Sequence, residues 1–79
     1  MKNPKCVAGS GSQTIPQEIV KKQVLIHNMD ATASMNAKIN DDTGSGKTIP
    51  AGEHLGVRIN AGIYKVEITA TGSWEVLFL

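Results

Sequence analysis

Ser73-Trp74-Glu75-Val76-Leu77-Phe78-Leu79 is the stretch that decides the fold class. Side chains of an extended segment alternate between its two faces, so Trp74, Val76 and Phe78 lie on one side and Glu75, Leu77 and Leu79 on the other. The first set can fill a core. The second is unusual for a small antiparallel sheet, whose outward face ordinarily carries polar side chains. It calls for a further apolar surface, either the other half of a sandwich or a neighbouring subunit.

The same rhythm runs back through the chain. Thr71-Gly72-Ser73 turns into the last strand from Ile63 to Ala70, in which Tyr64, Val66, Ile68 and Ala70 share a face. Asn60-Ala61-Gly62 reads as a tight turn separating that strand from Leu55, Val57 and Ile59, which alternate with His54, Gly56, Arg58 and Asn60. Met35, Ala37 and Ile39 form a half-buried strand ahead of a turn-rich loop from Asn40 to Gly46, and Val24-Leu25-Ile26 marks a central strand. After Pro16, Gln17 to Lys22 suits one short helical turn. About five to seven short strands, with turn signals at roughly ten-residue spacing, predict an all-β domain: a small antiparallel β-sandwich or barrel over residues 14–79. Residues 1–13, with Gly9-Ser10-Gly11-Ser12 at their centre, are small, polar and aperiodic. They predict a flexible N-terminal arm that is available to lie across a neighbour.

Composition narrows the function. At 79 residues the chain holds one domain, near the lower limit at which a single apolar core suffices without a staple. Its one cysteine, Cys6, leaves no internal disulfide, so association is the expected reinforcement. Eight basic and seven acidic residues give a formal charge of +1 with no basic patch, which argues against nucleic acid. No apolar run has the length of a secretory h-region or a membrane span, so synthesis in the cytoplasm and no membrane partner are expected.

Local motifs for chemistry fail on inspection. Asp41 to Thr48 resembles a phosphate-binding loop, but Asp41 stands where the motif requires glycine, and Ile49-Pro50 leads into a strand rather than a helix. Asn40, Asp41, Asp42 and Thr43 lack the closing glutamate of a calcium loop. His27 and His54 could pair with Asp30 or Glu53 around a metal, although histidines this far apart in sequence ordinarily decorate strand ends. The glutamates stand singly, and Cys6 has no adjacent base. Trp74 and Tyr64 fall in phase with apolar neighbours and are expected in the core rather than on a sugar- or base-stacking platform. No catalytic residue, cofactor or metal ligand is therefore expected.

Thr48-Ile49-Pro50-Ala51-Gly52-Glu53-His54-Leu55, Asn60 to Ile68, and Gly72-Ser73-Trp74-Glu75-Val76 together resemble the cadence of small bacteriophage virion β-proteins, such as head decoration (cement) proteins and short tail domains. The resemblance spans about the last 32 residues. It implies a non-enzymatic structural subunit located in the virion, present in many copies. Its implied partners are further copies of itself and other virion proteins, the major capsid or tail proteins. Small carbohydrate- or surface-binding β-modules share the cadence and supply the alternative. The candidate assembly interface is Leu77, Leu79, Glu75 and Ile63.

Overall fold

The computed structural model describes residues 5–40, 44 and 46–79, and these contain no helix. Six strands occur in the order β1 Lys5–Ser10, β2 Gln13–Asn28, β3 Met35–Ile39, β4 Lys47–Ile49, β5 His54–Thr69 and β6 Ser73–Phe78. They form one antiparallel sheet with spatial order β1-β6-β2-β5-β3-β4. The all-β expectation holds, and Val24 to Ile26 lies in an interior strand flanked by β6 and β5.

Two expected breaks are absent because β2 and β5 are 16 residues each and run straight through them. Gln17 to Lys22 belongs to β2 rather than to a helical turn, and Asn60-Ala61-Gly62 lies inside β5 rather than between two hairpin strands. Their pairing shows what happens instead. From Pro16 to Lys21 β2 advances five residues while β5 advances two, Lys65 to Ile63; from Lys21 to Gln23 β2 advances two while β5 advances five, Ile63 to Arg58. The two bulges compensate, so register is restored and both strands bend at the same place. Gly62 supplies the conformation the bend needs, with φ 105°.

Asn40 locks this corner from β3. It adopts φ 59°, a region that asparagine tolerates better than other non-glycine residues. Its backbone N–H donates to Lys65 O at 2.7 Å, its Nδ2 donates to Gly62 O at 3.1 Å, and its Oδ1 accepts from Tyr64 N at 2.8 Å. One side chain thus replaces ladder bonds that the bulges interrupt.

The bend curls the sheet over its own core. In a flat sheet β2 and β4 would stand three strand spacings apart, about 14 Å, yet Asn28 Nδ2 at the end of β2 donates to Ile49 O of β4 at 3.0 Å. The enclosed face carries Val24, Ile26, Ile63, Val66, Trp74, Val76 and Phe78, all fully buried, with Met35, Ala37, Ile49, Ile15 and Ile68. The inward set expected of the last strand is therefore the centre of the core.

Lys5–Ser10 corrects the expected arm over these positions, residues 1–4 of it lying outside the described residues. Strand β1 pairs with β6 along its whole length, from Lys5 opposite Phe78 to Ser10 opposite Ser73. Gly9 sits opposite Trp74, and a Cβ there would fall 2.7 Å from the indole Cζ2, so the glycine lets the ring pack flat beneath the strand. Trp74 Nε1 donates to Gly11 O at 2.8 Å. Within the stretch that looks like a linker, Gly9 is the residue that a backbone lying on a tryptophan requires, whereas Gly11 serves the turn with φ 74°.

The β2–β3 connection is built on carboxyl and amide caps. Asn28 Nδ2 also donates to Ala33 O at 2.9 Å, its Oδ1 accepts from Asp30 N at 3.0 Å, and Asp30 Oδ1 accepts from the backbone N–H groups of Thr32 at 2.9 Å and Ala33 at 3.2 Å. The N–H groups of Thr32 and Ala33 hold the Asp30 carboxyl below its ordinary value of 3.8. A depressed carboxyl stabilises the fold at pH above its unfolded value and loses that contribution as pH falls through the folded one. Asp30→Ala is thus expected to lower the urea midpoint at about pH 7, with the gap from wild type narrowing at about pH 3. A gap that is constant with pH would contradict the role assigned to the charge.

Candidate functional site: the outer face of β1, β6, β2 and β5

The face turned away from the core is set by register. Cys6 of β1, Leu77 of β6, Leu25 of β2 and Gly56 of β5 stand in one cross-strand row; Ala8, Glu75, His27 and His54 form the next; Leu79 and Arg58 flank Gln23 on the other side. Leu25 and Leu79 remain 36% and 45% exposed, and Leu77 and Glu75 are half-buried. This is an apolar strip of three leucines on an outward face, where a wet sheet would place polar residues.

The ladder bonds explain which side chains touch. Asn28 N donates to Glu53 O, the residue just before β5, at 2.9 Å, and this bond sets the phase of the β2–β5 ladder. One step along, His27 and His54 are a non-hydrogen-bonded pair, the closer of the two kinds, with Cα atoms about 4.5 Å apart. Towards β6 the phase reverses, because Leu79 N donates to Gln23 O at 2.8 Å and Met29 N to Ser73 O at 3.0 Å. His27 therefore faces Glu75 across a wide pair and His54 across a narrow one. The imidazoles stack, centroids 3.9 Å apart and planes 13° from parallel. Glu75 Oε1 turns the other way, 4.0 Å from Cys6 Sγ.

Of the expected interface residues, Leu77, Leu79 and Glu75 share this face, and Ile63 does not. Ile63 is fully buried opposite Lys21, at the bend where alternation is broken, and has no surface to offer. Leu25 joins the strip in its place. Its membership follows from pairing with Leu77, which alternation within a single strand cannot reveal.

The aromatic residues part company. Trp74 is buried as expected, whereas Tyr64 is 44% exposed. The buried positions Ile63 and Val66 are three residues apart, so the phase slips between them and Tyr64 leaves the core. A shallow polar depression of about 420 Å³ lies elsewhere, lined by Ser12, Gln13, Thr14, Lys38, Glu67, Ile68 and Thr69, with no aromatic side chain. Asp41, Asp42, Thr43 and Ser45 of the phosphate- and calcium-loop comparisons lie outside the described residues. Lys47–Ile49, which follows, is a strand. His27 is not brought to Asp30 or Glu53 but to His54. Among the described residues no three His, Cys, Asp or Glu side chains gather as a metal cluster, and no helix is long and apolar enough to cross a membrane.

In comparisons with known proteins, no family model, no curated protein and no solved structure matches this chain.

Proposed function

We propose that this chain is a non-enzymatic assembly subunit that docks through the leucine strip of β6 and β2 onto a second copy of itself, in the manner of a bacteriophage virion protein such as a capsid decoration protein. Within such a particle it also binds the other virion structural proteins. The observation that carries the reading is the strip itself: Leu25, Leu77 and Leu79 lie on the face opposite a complete core. Burying apolar area between subunits contributes about 25 cal/mol per Å². For a small domain whose core is limited by its length, association adds stability by mass action.

The carbohydrate-binding alternative calls for exposed aromatic side chains, and of Trp74, Tyr64 and Phe78 only Tyr64 is exposed. Trp74, the residue best suited to stack on a sugar ring, is fully buried and its N–H is bonded to Gly11 O. The polar depression beside β2 and β5 offers no aromatic platform.

Light scattering across a dilution series tests the assembly reading. The wild-type protein is expected to exceed monomer mass at micromolar concentration, and Leu77→Asp combined with Leu25→Asp is expected to give a folded monomer. Both positions are on the outer face, so circular dichroism should be preserved. A wild type that stays monomeric at about 100 µM, or a double variant whose mass is unchanged, would overturn self-association through this strip.

A further inference from the structure

We propose that His27 and His54 form a cross-strand binding site for a divalent transition-metal ion that favours nitrogen ligands: Zn²⁺, Ni²⁺ or Cu²⁺. Three observations converge on it. The two residues occupy a non-hydrogen-bonded pair of β2 and β5, the register that brings facing side chains closest. Their rings are already side by side, 3.9 Å between centroids and 13° from parallel. Both stand on the outward face, His54 exposed and His27 half-buried, so an ion reaches them without opening the core.

The geometry suits chelation. Two imidazole nitrogens bound to one tetrahedral ion at about 2.0–2.1 Å are about 3.3 Å apart. Rings stacked at 3.9 Å come to that arrangement by rotation about χ2, a broad torsion in histidine. The strands hold the Cα atoms in place, so little order is lost on binding. Neighbouring charge also suits a cation. Glu75 is the next residue of the row, with its Oε1 turned toward Cys6, and the nearest described cation along β5, Arg58, is four residues from His54, about 13 Å along the strand. Two imidazoles without thiolate select for the nitrogen-favouring end of the divalent series rather than for calcium or magnesium. The remaining coordination positions are open to water, since no third protein ligand gathers with the pair among the described residues.

An ion held by both rings ties β2 to β5, the two longest strands, at the end where Asn28 anchors the loop to β3. It therefore binds the folded chain in preference to the unfolded one and raises its melting temperature.

The test uses the full chain carrying Cys6→Ser, which removes its one thiol as a competing ligand. With ZnCl₂ or NiCl₂ at about 1 mM, the melting temperature is expected to rise by about 5 °C or more, and His27→Gln or His54→Gln alone is expected to abolish the rise. Zinc titration followed by NMR should move the ring signals of both histidines with one common midpoint. The proposal is overturned if the rise is under about 1 °C, if it survives either substitution, or if only one ring responds. Each variant's metal-free melting curve establishes that it is folded, so loss of the shift reports loss of the site.

Discussion

Trp74→Ala is expected to cost about 3–5 kcal/mol of folding stability, the range seen when a buried indole or phenyl ring is removed. The ring is fully buried at the centre of the core, and it is also what β1 rests on, through Gly9 above its six-membered ring and Gly11 O on its N–H. Truncation leaves a cavity under β1 and strips a carbonyl of its donor. Stability of a domain this size totals about 4–12 kcal/mol at about 0.05–0.15 kcal/mol per residue, so the variant loses a large fraction of it. Urea unfolding followed by far-UV circular dichroism measures the effect, because the only tryptophan is lost. A loss below about 1 kcal/mol would contradict the place given to this side chain.

Asn28→Asp, a change of one atom, is expected to cost on the order of 4 kcal/mol at neutral pH. Asn28 is 1% exposed and its Nδ2 serves two carbonyls, Ala33 O and Ile49 O, from different elements. A carboxylate can donate to neither and would face both at hydrogen-bond distance in a buried site. Burial raises the pKa of such a carboxyl in the folded state above its unfolded value of about 3.9, so the deficit is full at pH above the folded value, shrinks as pH falls through it, and levels off below about pH 4. Urea midpoints at several pH values would show this. A deficit that stays level with falling pH, or Asn28→Asp matching wild type at neutral pH, would mean that the amide does not bridge β2 to β4.

Asn28 also shows why some of this fold could be read in advance and some could not. The inward set Trp74, Val76 and Phe78 was legible because period-two alternation is a local property of one strand, and all three are fully buried. The same rule placed Met35 and Ala37 correctly and failed at Tyr64, which lies just beyond a bulge. A bulge is an agreement between two strands, so neither strand's pattern contains it alone. Asn60-Ala61-Gly62 misled for the same reason: glycine after a polar residue serves a hairpin turn and a bend equally well, and only pairing to β2 distinguishes them.

The candidate surface was half legible. Leu77, Leu79 and Glu75 followed from alternation in the last strand, whereas Leu25 and the His27–His54 stack depend on which strands are neighbours and on which pairs are narrow. A single chain read along its length carries no signal for that, because the partners are separated by 52 positions in one case and 27 in the other.

By itself the sequence determined that this is an all-β protein, which residues of its last strand face inward, and that an apolar surplus remains for an outward face. Those follow from backbone geometry and the transfer of side chains out of water, both of which act residue by residue. Tertiary structure alone decided that the glycine-rich start is a strand laid over Trp74, that two long strands bend together under Asn40, and that two distant histidines stack. Each of these depends on a close approach between segments far apart in the chain, where a missing Cβ, a bulge or a ladder phase has meaning only once its partner is in place.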